Sequence, residues 1–190
     1  MKKIVVLASG SGTLAQAIFD AVQAKTLQCE VVALISDRAD AGVITRAENH
    51  GVPVHLHPMT SDRVQWNKDL HDLFSTLNVD LIVSAGFMRI LDHSITSAFP
   101  IINSHPSLLP LFPGAHAVRD ALQSGATHTG TTIHWIDAGV DTGEIIAQES
   151  LEIESGESEE SLHERIKIIE RSLIVATIDR LLSMKENATS

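Results

Sequence analysis

Cysteine is nearly missing from this chain: Cys29 stands alone among 190 residues. An internal disulfide is thereby excluded, and the position of Cys29 at the start of an apolar strand pattern reads as a small core residue rather than a nucleophile. Positive charge is also scarce, with 14 Lys and Arg against 24 Asp and Glu and a net charge of −10. That balance opposes nonspecific adhesion to nucleic acid or anionic membrane, so an anionic ligand must find local donors. No apolar run approaches the ~20 residues of a membrane-spanning helix. The N-terminus, Met1-Lys2-Lys3 before Ile4-Val5-Val6-Leu7-Ala8, lacks the length and cleavage site of a signal peptide, and the expected location is the cytoplasm. Repeats and low-complexity tracts are absent. A chain of this length, 44% hydrophobic and 20% charged, is expected to form one well-buried domain over residues 1–190.

What the chain does contain is an alternation of short apolar runs and helical periods. Ile4 to Ala8 reads as a strand, Ser9-Gly10-Ser11-Gly12 as a glycine loop, and Leu14, Ala17, Ile18, Ala21 and Val22 as a helix face. Glycine there admits either a close backbone approach to a ligand, with the helix N-terminus facing a phosphate, or simply a tight left-handed turn. The spacing matches neither the dinucleotide fingerprint nor a P-loop. Further strands follow at Val31 to Ser36, Pro53 to Leu56 and Asp80 to Ser84, with helices ending near Gly51 and running from a Ser61-Asp62 cap to about Leu77. After Leu111-Phe112-Pro113-Gly114-Ala115, a helix is expected from His116 to Ser124. Two strands, Thr131 to Ile136 and Glu144 to Ile153, then form a hairpin. Ser158 caps a last helix with Leu162, Ile166, Ile169, Leu173 and Ala176 on its apolar stripe and Glu170 at the border. The pattern predicts an α/β fold: a single-domain, Rossmann-like open twisted sheet, mostly parallel with an antiparallel C-terminal hairpin, and helices on both faces.

In such sheets ligands bind at the carboxyl ends of the strands. The stretch Asn103-Ser104-His105-Pro106-Ser107-Leu108-Leu109-Pro110 follows the apolar run Pro100-Ile101-Ile102, so Asn103 and His105 fall at a strand end. Positions two apart share a face, and the pair offers an amide N–H and an imidazole N–H at one point, as the oxyanion of acyl transfer requires. The plain alternative is an Asn that caps a turn beside an exposed His. Asp141, between Gly139 and Gly143, fits a turn equally well, and Glu170 fits a side chain snorkelling at the edge of the core. His55 and His57 share a strand face, but no cysteine pair or HExxH accompanies them, and no metal site is expected.

These residues resemble a known family. Ser9-Gly10-Ser11-Gly12-Thr13, Ala85-Gly86-Phe87-Met88-Arg89-Ile90-Leu91, Asn103 to Pro110, Pro113-Gly114 and Asp141-Thr142-Gly143 together look like the phosphoribosylglycinamide formyltransferases, within the folate-dependent formyltransferases, over nearly the whole chain. The resemblance implies formyl transfer from 10-formyltetrahydrofolate to glycinamide ribonucleotide in purine synthesis, small-molecule substrates, no metal, no nucleic acid and no membrane, and leaves a homodimer open. It implies Asn103, His105 and Asp141 as the catalytic group. It places the substrate phosphate on Gly12, Thr13 and Leu14, with Glu170 near the substrate amine. It sets folate against Arg63, Met88, Arg89, Ile90, Leu91 and Asn103. Leu14 stands where the family often has Asn, and Leu111 where it often has a cation, so phosphate binding must rest on main-chain N–H groups, the Thr13 hydroxyl or a cation from elsewhere. The nearest rivals, a formyltetrahydrofolate hydrolase and the catalytic half of methionyl-tRNA formyltransferase, usually carry an extra domain. A nucleotide-binding module without chemistry would leave the convergence of Asn103, His105 and Asp141 unexplained.

Overall fold

The structure, a computed structural model, describes residues 1–187. Strand β1 (Lys2–Leu7) passes through the glycine loop into helix α1 (Thr13–Gln23), and β2 (Cys29–Ser36), α2 (Gly42–Asn49), β3 (Val54–Leu56), α3 (Arg63–Leu77) and β4 (Leu81–Ser84) follow in alternation. A single-turn helix, α4 (His93–Thr96), precedes β5 (Ile101–His105). Then come α5 (Ala117–Gln123), β6 (His128–Trp135), β7 (Ile145–Glu152) and the long α6 (Glu159–Asn187).

The seven strands form one sheet in the order β3-β2-β1-β4-β5-β6-β7. The first five run parallel, β6 is antiparallel to β5, and β7 is antiparallel to β6, which is the expected C-terminal hairpin. Chain order reverses between β1 and β4, so the loops after these two strands open a crevice at the carboxyl edge. Helices cover both faces. Ile18 of α1, Val43 of α2 and Ile174 and Ile178 of α6 pack with Ile4, Val6 and Ile102 of the sheet. Trp66, Leu70 and Phe74 of α3 pack with Val5, Leu7, Ile82 and Ile101 on the opposite face. Burial on both faces is why the parallel strands read as unbroken apolar runs. Cys29 is buried as expected, and burial, aided by the nearby charge of Asp179, pushes its thiol up to about 11, far from nucleophilic use.

Two details differ from the sequence-based expectation. Helix α4 was not expected, because four residues show no periodicity; Asp92 caps it by accepting from the Ser94 N–H at 2.9 Å. The buried stripe of α6 keeps Leu162 and Ile166 but continues through Ile174, Ile178 and Leu182, while Ala176 is exposed. Ile168, Ile169, Leu173 and Val175 make several faces of this helix apolar, so spacing alone did not select the buried one.

At the start of α1, Gly12 has φ +75°, and a Cβ there would lie 2.8 Å from the Cα of Val43. The close approach of α2 therefore requires glycine at this position. Gly10 is unlike it: a Cβ would meet nothing within 4 Å.

Candidate active site

Alternation along β5 sends Asn103 and His105 to one face and Ser104 to the other. Antiparallel pairing with β6 sets His134 directly opposite Asn103, and the Asn103 Nδ2 lies 3.2 Å from His134 Nε2. Asp141 reaches the same point from the β6–β7 loop, in a left-handed conformation of φ 55° that Asp tolerates better than most residues. Its Oδ2 accepts from the Gly114 N–H at 2.8 Å and lies 3.4 Å from His105 Nδ1, while its Oδ1 lies 3.6 Å from His134 Nε2.

Main-chain carbonyls assign the tautomers. His105 Nε2 is 2.8 Å from the Phe112 carbonyl, which can only accept, so Nε2 carries the hydrogen and Nδ1 is left beside Asp141 to exchange a proton. His134 Nδ1 is held in the same way by the Trp135 carbonyl at 2.8 Å. His134 Nε2 thus accepts from the Asn103 amide when neutral and faces Asp141 as a donor when protonated. The His134 imidazole, the Gly114 N–H and the neighbouring His105 hold the Asp141 carboxyl below its ordinary value against the burial that would raise it. Asp141 is therefore a carboxylate at neutral pH.

These four side chains face a cleft of about 460 Å³. One wall is the segment 86–91 after β4; the other is formed by Gly114 to Val118 and by His163 of α6. Met88 and Ile90 stand 73% and 65% exposed at the rim, whereas Leu91, though it lines the cleft, is packed into the core. Side chains from other elements lash this wall: Ser9 Oγ accepts from the Met88 N–H at 2.9 Å, and Asn67 Oδ1 from the Asp92 N–H at 3.3 Å. Arg63 lies behind the wall rather than in the cleft lining, donating to the Ile90 carbonyl at 2.8 Å.

Gly12, Thr13 and Leu14 begin α1, outside that cleft lining. Leu14 is 7% exposed and packs into the core, so its side chain offers nothing to a ligand. A cation does stand beside this loop: Arg46 of α2 donates to the Ser11 carbonyl at 2.8 Å. Glu170 is not on the Asn103 face. It interrupts the buried stripe of α6 and accepts from Ser104 Oγ at 2.6 Å beneath β5. His57 is tied to the Trp66 carbonyl at 2.9 Å, and among the described residues no cluster of three or more His, Cys, Asp or Glu is placed to hold a metal ion.

Burial raises the Glu170 carboxyl above its ordinary value of 4.5, a shift that Ser104, Lys167 and Arg171 only partly offset. Below that ordinary value folded and unfolded chains are both protonated. As pH rises through it the unfolded chain releases its proton first, so stability is lost until the folded value is passed, and the penalty then persists. Glu170→Gln, which never ionises, is expected to match the parent in Tm near pH 4 and to exceed it by a few degrees at pH 7. Calorimetry at the two pH values checks this, and equal melting at both would refute it.

Sequence reasoning did not single out His134. Its signal was a lone imidazole within the strand Thr131 to Ile136, but only the β5–β6 register shows that it meets Asn103.

An amide and an imidazole beside a carboxylate, at the carboxyl edge of an open α/β sheet, are the parts of an acyl-transfer centre. The chain belongs to the formyl transferase family, whose profile matches residues 2–178. It is 43% identical over 186 residues to the phosphoribosylglycinamide formyltransferase of Mycobacterium tuberculosis strain H37Rv, covering 94% of this chain and 84% of that one. Among solved structures, the phosphoribosylglycinamide formyltransferase of Bacillus halodurans superposes with a TM-score of 0.93 at 39% identity, covering 98% of each chain. The glycinamide ribonucleotide transformylase 1 of Geobacillus kaustophilus does so at 0.92 and 39%, covering 96% of this chain and 99% of that one. Among the described residues no helix is long and apolar enough to cross a membrane.

Proposed function

We propose that this enzyme transfers the formyl group of 10-formyltetrahydrofolate to the amine of N1-(5-phospho-D-ribosyl)glycinamide, in the cytoplasm, as a step of de novo purine synthesis. The observation that carries this reading is the meeting of Asn103, His105 and Asp141 in one cleft, at 3.4 Å between His105 Nδ1 and the Asp141 carboxylate. Folate lies against Met88 to Leu91, with Arg63 bracing that wall from behind and Asn103 at its reacting end. The ribonucleotide phosphate lies on the first N–H groups of α1 at Gly12, Thr13 and Leu14, where the Thr13 hydroxyl and Arg46 supply what Leu14 and Leu111 do not. Glu170 meets the glycinamide end only by giving up its bond to Ser104.

In the reaction the neutral amine attacks the formyl carbon, forming the new C–N bond and placing negative charge on the former carbonyl oxygen. The Asn103 N–H and a protonated His105 Nδ1 hold that oxyanion. The proton of the new ammonium passes to Asp141, directly or through water, and collapse of the intermediate breaks the bond to folate N10, which takes up a proton.

Absorbance-monitored turnover of 10-formyl-5,8-dideazafolate, with and without glycinamide ribonucleotide, tests the reading. Turnover that requires the ribonucleotide and is abolished by His105→Ala is expected. Turnover without it would replace the transferase by a hydrolase.

A further inference from the structure

Asp37 is the first residue beyond β2, and its side chain is 1% exposed. Its Oδ2 accepts from Arg89 Nε at 2.5 Å, across the end of β1, while Oδ1 is buried with no hydrogen-bond partner among the described residues. Despite its burial, the neighbouring Ser9 and Arg89 side chains and the Arg89 charge hold the Asp37 carboxyl below its ordinary value, so it stands as a carboxylate facing Arg89. Arg89, in contrast, is 36% exposed and lines the cleft, which Asp37 does not. The pair therefore links the interior of the sheet edge to the middle of segment 86–91.

That segment has few internal supports. The N–H groups of Arg89, Ile90 and Leu91 have no partner among the described residues. The segment is held from outside, beginning with the Ser9 N–H, which donates to the Gly86 carbonyl at 3.0 Å. Ser9 fixes Met88, Arg63 fixes the Ile90 carbonyl and Asn67 fixes Asp92. Only the Asp37 contact is an ion pair, and it grips the residue between the Met88 and Ile90 anchors.

We propose that Asp37 is a positioning residue of the folate site, its carboxylate holding Arg89 and, through Arg89, the backbone of 86–91 in the geometry that receives the pteridine-like end of the formyl donor. The inference rests on segment 86–91 being the folate wall. Its function is to prepay the ordering of a ligand-facing loop, as partners behind a binding group commonly do.

The test compares Asp37→Asn, which keeps shape and removes charge, with Arg89→Gln and the double variant. Asp37→Asn is expected to raise KM for 10-formyl-5,8-dideazafolate by about 10-fold or more, the scale on which such supporting partners act, while kcat and KM for glycinamide ribonucleotide stay near the parent values. Arg89→Gln, which also removes a side chain that lines the cleft, is expected to raise that KM at least as far, and the double variant to be no worse than Arg89→Gln alone. Hydrogen exchange of the Met88 amide, which Ser9 Oγ holds at 2.9 Å, is expected to quicken in Asp37→Asn with the rest of the sheet unchanged. An unchanged folate KM, a joint rise of both KM values with a fall in kcat, or additive effects of the two single changes would overturn the proposal. If the parent shows no ribonucleotide-dependent turnover, the functional reading itself has failed. The exchange measurement then still decides whether Asp37 holds the segment, and unaltered exchange would end the proposal.

Discussion

Asn103→Ala is expected to lower kcat by about 100- to 1,000-fold, the loss of ~3–4 kcal/mol that follows removal of one oxyanion donor. The size follows from when the bond matters. The formyl oxygen is a weak acceptor in the bound donor and a full anion in the tetrahedral intermediate, so the amide contributes mainly to the transition state and KM should change little. His134 sharpens the effect, because its Nε2 sits 3.2 Å from the amide and fixes one of its two N–H groups, leaving the other to face the cleft. Alanine removes the donor and leaves His134 to turn toward Asp141. Steady-state turnover with saturating substrates checks the expectation, and a rate within a few-fold of the parent would remove Asn103 from the chemistry.

Gly12→Ala is expected to destabilise the fold by roughly 2–4 kcal/mol, combining the strain of a left-handed alanine with the overpacking of a tight contact. The added methyl would press on Val43 close to its Cα, at 2.8 Å, and backbone cannot swing aside as a side-chain tip can. At about 2–4 °C per kcal/mol for a chain of this size, Tm should drop by roughly 5–15 °C. Gly10→Ala is the control, since its Cβ meets nothing, and its Tm should stay within a degree or two of the parent. Equal melting of the two variants would show that α2 yields to the methyl at Gly12. A Gly10→Ala chain that melts normally but binds the ribonucleotide poorly would instead report a ligand approaching the loop.

Much of the fold could be read from the chain because parallel strands covered on both faces leave unbroken apolar runs such as Ile4 to Ala8, and because caps such as Asp62 and Ser158 mark helix starts. The common face of Asn103 and His105 followed from strand alternation alone. What the chain did not show depends on register and crossing. His134 meets Asn103 because of a pairing between strands that are 31 positions apart, and Asp37 meets Arg89 over 52. Neither spacing has a local signature. Glu170 was placed beside the apolar stripe by counting, yet it lies within it, since the buried Ile166 and Ile174 stand four positions to either side on the same face. Asp141 carried no signal of its own beyond a glycine-flanked turn, and only the resemblance distinguished it.

Strand β5 has five residues, with Pro100 before it and Pro106 after it. It acts as a partition one chain thick, with the amide and imidazole on its cleft side and the Ser104 hydroxyl answering Glu170 on the other. Adding or deleting a single codon between Pro100 and Asn103, with the flanking pairing held, would exchange the two sides, putting a hydroxyl in the cleft and an imidazole against a buried carboxylate. Both proteins would still be composed of reasonable strand residues. In this segment length itself is therefore under constraint, and substitutions are the only changes that leave a working enzyme within reach.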